Sequence, residues 1–119
     1  MTETEVVKIL MANYLHWSLS FDLYSFKKVE ETVKAIGKYN GFNPEKVAKL
    51  LWTITNYPAL GADNVLFVTI GREFSPVIYV IVKKELAESL MKDFKELAPD
   101  ELSSEEDSPN YAKVRAWWD

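Results

Sequence analysis

The 119-residue chain contains no cysteine and no glutamine, and its single histidine is His16. Without cysteine the chain can form neither disulfide bonds nor thiolate metal sites. No second residue of a metal-ligand type lies at helical spacing from His16, so we interpret this histidine as a packed or surface residue. The absence of glutamine beside abundant lysine and glutamate is a bias reported for proteins from hot environments and agrees with a thermophilic source.

Long apolar runs are also missing. None reaches the roughly 20 residues needed to cross a bilayer, and residues 1–5 are acidic, unlike the start of a signal peptide. We therefore expect a cytoplasmic protein. The net charge of −4 argues against a general nucleic-acid coat protein, although it leaves room for a local basic patch.

Signals for catalysis are equally scarce. The chain has no Gly-rich phosphate loop, and no serine lies in a nucleophile-elbow pattern. The adjacent pairs Glu30-Glu31 and Glu105-Glu106 would point about 100° apart on a helix, so neither converges as a pair of catalytic carboxylates. We expect a protein that is not an enzyme and that uses no cofactor and no metal.

The most strongly patterned stretch covers residues 64–82, NVLFVTIGREFSPVIYVIV. Residues 65–70 and 77–82 are rich in Val, Ile, Phe and Tyr, which suit a pleated and buried surface. The segment between them, residues 71–76, supplies Gly, Ser and Pro, which favour a turn. This pattern predicts a β-hairpin.

Apolar residues at helical spacing predict helices at about 3–18, 25–38, 43–57 and 83–97. Gly41 suits a helix stop in the left-handed region, while Asn43 and Pro44 suit an N-cap and a first helical position. From Pro99 onward, the acidic residues 99–108 resemble a solvated linker. Residues 109–119 form a short amphipathic segment in which Pro109 again suits a first helical position.

Three helices followed by a hairpin and a further helix give an α+β layout that resembles a winged helix-turn-helix domain, here over residues 1–98. The resemblance is sharpest in VKAIGKYNGFNPEKVAKLLW. A small residue lies four positions before a turn glycine, an apolar residue follows that glycine, and apolar anchors lie in the next helix. Those positions hold Gly37, Gly41, Phe42, Val47 and Leu50.

The resemblance implies a small DNA-binding protein, typically a dimeric transcriptional regulator, whose recognition helix spans residues 43–57. Asparagine can read adenine, lysine can contact guanine or phosphate, and threonine can contact either base type. An arginine at the hairpin tip would contact phosphate or the minor groove. The residues implied in DNA binding are Lys38, Asn43, Lys46, Lys49, Thr53, Asn56 and Arg72.

The sequence supports a second function from another class, a protein-interaction module that assembles a larger complex. The hairpin strands show little polar alternation, so they require cover on both faces, supplied by the last helix and by a partner or a second copy. The C-terminal segment carries aromatic residues of the kind enriched at interfaces. Its candidate partner-binding residues are Tyr111, Val114, Trp117 and Trp118. We expect a homodimer or a protein partner.

Overall fold

The computed structural model describes residues 17–21, 26–38, 40–55 and 65–119. Within these ranges the chain forms strands and helices that follow one another as strand, two helices, two strands, helix and two strands. In chain order they are β1 (Trp17–Phe21), α1 (Phe26–Ile36), α2 (Pro44–Thr55), β2 (Val65–Glu73), β3 (Ser75–Lys83), α3 (Lys84–Lys95), β4 (Glu101–Ser108) and β5 (Tyr111–Trp117).

The predicted winged-helix architecture is wrong. The five strands form one antiparallel sheet in the order β1-β2-β3-β5-β4, whereas a wing is a small hairpin attached to a helical core. The predicted hairpin exists, but β3 is the central strand and pairs with both β2 and β5. The side chains of this central strand are buried or half-buried along its whole length, which suits its apolar sequence.

The hairpin is longer than the sequence predicts. Pairing continues past the two apolar runs to Gly71 with Val77, Arg72 with Pro76, and Glu73 with Ser75. Phe74 alone occupies the tip, with a positive φ of 65°. Local preference predicts a turn over residues 71–76, but cross-strand pairing extends the ladder through all of them except Phe74.

The predictions for residues 99–119 are also wrong. The supposed acidic linker forms β4, which pairs with β5 along its length. The supposed helical segment forms β5, in which Ala112, Val114 and Ala116 are buried while the residues between them are half-buried. This period of two is the signature of a strand with two different faces. A helical spacing of three or four can be found in the same short run, which is why the residues alone were ambiguous.

Three of the predicted helices are confirmed as α1, α2 and α3. The remaining predicted helix falls largely on residues 1–16, outside the described residues, and its proposed end is wrong because Trp17 begins β1. The stop after α1 is Gly37, with φ of 76°, rather than Gly41. The helix-turn-helix resemblance implies that Gly37 must be small so that two helices can approach closely. A Cβ atom at Gly37 would meet no atom within 4 Å, so its small size is not needed for that purpose.

The helices lie on one face of the sheet. Helix α1 packs on β1 and β2, α3 packs on β3, β4 and β5, and α2 packs against the other two helices. Their buried side chains form a single apolar cluster with one face of the central strands. Among its fully buried members are Trp118, Phe42, Phe94, Leu51, Ile70, Ile78 and Leu90. We call the opposite face of the sheet the distal face.

Candidate interaction surface

The residues implied in DNA recognition are only partly brought together. Lys46, Lys49 and Thr53 line one shallow groove of about 300 Å³ between α2 and α3. The same groove is lined by Asp93 of α3 and by Glu96, which directly follows α3. These carboxylates lie beside the lysines, so the groove does not present a purely basic surface to phosphate.

The other residues of that set lie elsewhere. Asn43 caps α2, because its Oδ1 accepts a hydrogen bond of 3.2 Å from the amide of Lys46. Lys38 is exposed just beyond α1. Arg72 was expected at the hairpin tip, but it lies within β2 opposite Pro76 and is only 3% exposed. Asn56 lies outside the described residues.

The residues expected to bind a partner divide between two environments. Val114 and Trp118 are fully buried, so they belong to the core and are not available to a partner. The indole of Trp118 contacts Phe42 and Phe94 edge-on, with centroid distances of 5.1 and 6.1 Å. Tyr111 and Trp117 are half-buried and lie on the distal face.

Cross-strand register places side chains of the distal face in rows. One row runs from Phe67 of β2 through Ile81 of β3 and Lys113 of β5 to Glu105 of β4. The next row contains Ser20, Thr69, Tyr79, Arg115 and Ser103, and the third contains Ser18, Gly71, Val77, Trp117 and Glu101.

Arg115 is the centre of a hydrogen-bonded cluster on the distal face. Its Nη2 donates to Glu73 Oε1 at 2.7 Å, and its Nη1 donates to Glu101 Oε1 at 2.8 Å. The hydroxyl of Tyr79 donates to Glu73 Oε2 at 2.7 Å. The indole of Trp117 donates to the backbone carbonyl of Glu73 at 2.8 Å. Residues from β2, β3, β4 and β5 are thereby held in one arrangement.

The cluster shifts the pKa of two of its members. Partial burial raises the pKa of Tyr79 above its ordinary value of 10.0, and the hydrogen bond to the Glu73 carboxylate adds to this effect. Partial burial would lower the pKa of Arg115, but its hydrogen bonds to Glu73 and Glu101 outweigh that effect and raise the pKa. Arg115 therefore stays charged, and Tyr79 stays protonated at neutral pH.

The distal face combines aromatic residues with balanced charge. Phe67 is 49% exposed. The cations of Lys113 and Arg115 lie 5.8 and 6.0 Å from the centroid of the Tyr79 ring. Lys113 also pairs with Glu105 at 3.4 Å. By register the face carries three basic residues, Lys83, Lys113 and Arg115, and three acidic residues, Glu73, Glu101 and Glu105.

Arg115, Tyr79 and Glu73 are functional candidates that the sequence does not predict. The alternation in YAKVRAW, where every second residue is Ala or Val, was a signal that could have revealed a strand with one polar face. Glu73 and Arg115 are 42 positions apart. No local pattern links residues at that separation, so only the strand order brings them together.

Within the described ranges, no group of three His, Cys, Asp or Glu side chains could hold a metal ion. None of the helices in those ranges is long and apolar enough to cross a membrane. Comparison with protein-family models, with curated proteins and with solved structures finds no match to this chain.

Proposed function

We propose that this protein is a non-catalytic, cytoplasmic protein-interaction module that binds a partner protein through the distal face of its sheet. The observation that carries the proposal is the Arg115 cluster, in which Arg115, Tyr79 and Trp117 lie side by side and partly exposed. Arginine, tyrosine and tryptophan are the residues most enriched at the energetic centres of protein interfaces.

The charge of the distal face favours a protein partner over a nucleic acid. Nucleic-acid surfaces attract an excess of lysine and arginine that neutralises phosphates. On the distal face each of Lys113 and Arg115 is already paired with a glutamate. A balanced face with aromatic residues matches a protein surface that offers apolar side chains to Phe67 and Ile81 and few net charges.

An experiment that tests partner binding must leave the sheet intact. Deleting residues 109–119 would remove β5, which pairs with β3 on one side and β4 on the other. Such a deletion would break the sheet, so loss of a partner would report unfolding. Single positions on the exposed part of the distal face are the informative ones.

Site-specific photo-cross-linking tests the proposal. A benzophenone amino acid replaces Phe67 or Tyr111 on the distal face, with Trp52 on α2 as a matched control because it is also exposed, at 47%. In an extract of source cells we expect protein adducts from positions 67 and 111, competed by unlabelled wild type. The adduct from position 111 should weaken in Phe67→Ser. Adducts from position 52 alone, or none at 67 and 111, would contradict the proposal.

DNA binding through α2 is the second candidate function, because Lys46, Lys49 and Thr53 do share one exposed groove. Binding to random duplex DNA is measured by fluorescence anisotropy at about 50 and 200 mM salt. This candidate predicts salt-sensitive binding that weakens, with a shallower salt dependence, in K46A/K49A. The variant K92A/K95A on α3 removes the same charge elsewhere and should bind normally. An equal loss in both variants, or no binding at low salt, would exclude α2 as a specific DNA site.

A further inference from the structure

The two edges of the sheet differ in how they are protected against pairing. Among the described residues, β1 and β4 are the edge strands. Strand β4 carries four carboxylates in eight residues and has an irregularity between Glu106 and Ser108. Charges and bulges are the features by which natural sheets prevent edge-to-edge association. Strand β1, WSLSF, has no charge and no proline.

The sequence of β1 is complementary to itself in the antiparallel direction. Positions 17, 19 and 21 are apolar and positions 18 and 20 are serine. If position 19 of one copy lies opposite position 19 of another, position 18 meets 20 and position 17 meets 21. Apolar positions then face apolar ones, and serine faces serine. An antiparallel pair requires such agreement because opposite residues share a face.

The surroundings of β1 fit this register. The hydroxyls of Ser20 and Thr69 are 2.8 Å apart, and the side chains of Ser18 and Ser20 are exposed. Phe21 is 6% exposed and belongs to the core cluster. Both serines therefore lie on the distal face, and Phe21 lies on the core face.

We propose that β1 pairs with β1 of a second copy of this chain, antiparallel, about a two-fold axis through position 19. The axis is perpendicular to the sheet, so the two five-stranded sheets become one of ten strands. A two-fold axis in this direction leaves both distal faces on the same side of the joined sheet, so they form one continuous surface. This inference concerns a different surface from the partner site proposed above, and either can fail without the other.

Oligomeric state and charge variants test this pairing. Light scattering of the full chain should show the mass rising toward twice 13.7 kDa as the concentration increases over about 10–200 µM, since a five-residue edge makes a small interface. S18K/S20K places lysine opposite lysine twice and should raise the dissociation constant by roughly tenfold or more. The matched S103K/S104K adds the same charge to β4 and should leave dimerisation unchanged.

S18K/S20K also removes the Ser20–Thr69 hydrogen bond. Ser18→Lys alone keeps that bond, and a thermal melt of each variant checks that it is folded. A monomer at all these concentrations would overturn the proposal, as would equal weakening by the β1 and β4 variants.

The absence of cysteine allows a direct test of register. Position 18 should lie opposite position 20 of the other copy, within the distance over which a disulfide can form. Co-expressed Ser18→Cys and Ser20→Cys chains should therefore form a mixed disulfide dimer under mild oxidation. Each variant alone places its cysteines diagonally, at about 7–8 Å, and should cross-link far more slowly. Ser103→Cys on β4 is the control for random collision. Equal rates in all four samples would exclude the register.

Discussion

Thr32 is a fully buried residue with a polar side chain. It lies in α1 with no exposed surface, and its Oγ1 has no hydrogen-bond partner in the part of the chain that the structure describes. A buried hydroxyl without a partner costs about 1–3 kcal/mol in desolvation. Valine has nearly the same shape and carries no polar atom.

We therefore expect Thr32→Val to raise the free energy of unfolding by about 1 kcal/mol, measured by urea denaturation. Thr53→Val is the matched control, because Thr53 is exposed on α2 and its hydroxyl donates to the Lys49 carbonyl at 2.9 Å. Its effect should remain within about 0.5 kcal/mol. If Thr32→Val were destabilising, the hydroxyl would have a partner in the folded protein.

Tyr79 should make stability fall in alkaline solution. Its folded-state pKa is raised by burial and by the Glu73 hydrogen bond. At a pH between the unfolded pKa near 10 and the folded pKa, the native state therefore binds more protons than the unfolded state does. The stabilisation is complete below pH 10 and is lost as the pH rises through the folded pKa.

NMR titration of the tyrosine ring carbons should place the pKa of Tyr79 above 10.0 in wild type and lower in Glu73→Gln. Urea denaturation at increasing alkaline pH should show a smaller loss of stability in Tyr79→Phe than in wild type. A pKa unchanged by Glu73→Gln would show that the carboxylate plays no part and that burial alone raises it.

At the scale of secondary structure, local information was sufficient to predict α1, α2 and α3. Helix α2 was predictable because Asn43 and Pro44 supply its cap and first turn, and Val47 and Leu51 repeat at helical spacing. Strand β4 was not predictable in this way, since its sequence ELSSEEDS has little strand preference of its own. It forms a strand because β5 offers a paired edge with Lys113 and Arg115 opposite its acidic side.

At the scale of the whole molecule, Trp118 ties three distant segments together. It packs against Phe42 and Phe94, and its indole nitrogen donates to the Leu97 carbonyl at 3.0 Å. Its backbone amide donates to the Pro76 carbonyl at 3.0 Å. The fold thus joins the loop before α2, helix α3 and the start of β3 at one residue.

Trp118→Ala should therefore lower the free energy of unfolding by about 3–5 kcal/mol, the range for removing a large buried aromatic residue. Trp117→Ala is a closely matched control, since its neighbouring indole lies half-buried on the distal face. We expect it to cost less than half as much, measured by urea denaturation and heat. Equal losses would mean that the distal face contributes to stability as much as the core does.

The sequence by itself determined the three helices, the central hairpin and the apolar residues that build the core, because these depend on periodicity and capping within about a dozen neighbouring residues. Tertiary structure alone decided that β4 and β5 join the sheet, that Arg72 is buried, and that Arg115 meets Glu73. Strand pairing joins residues dozens of positions apart, and no local preference encodes which strands become neighbours. For that reason residues 99–119, expected as an acidic linker and a short amphipathic segment, lie in the sheet, and the candidate interaction surface appears only after folding.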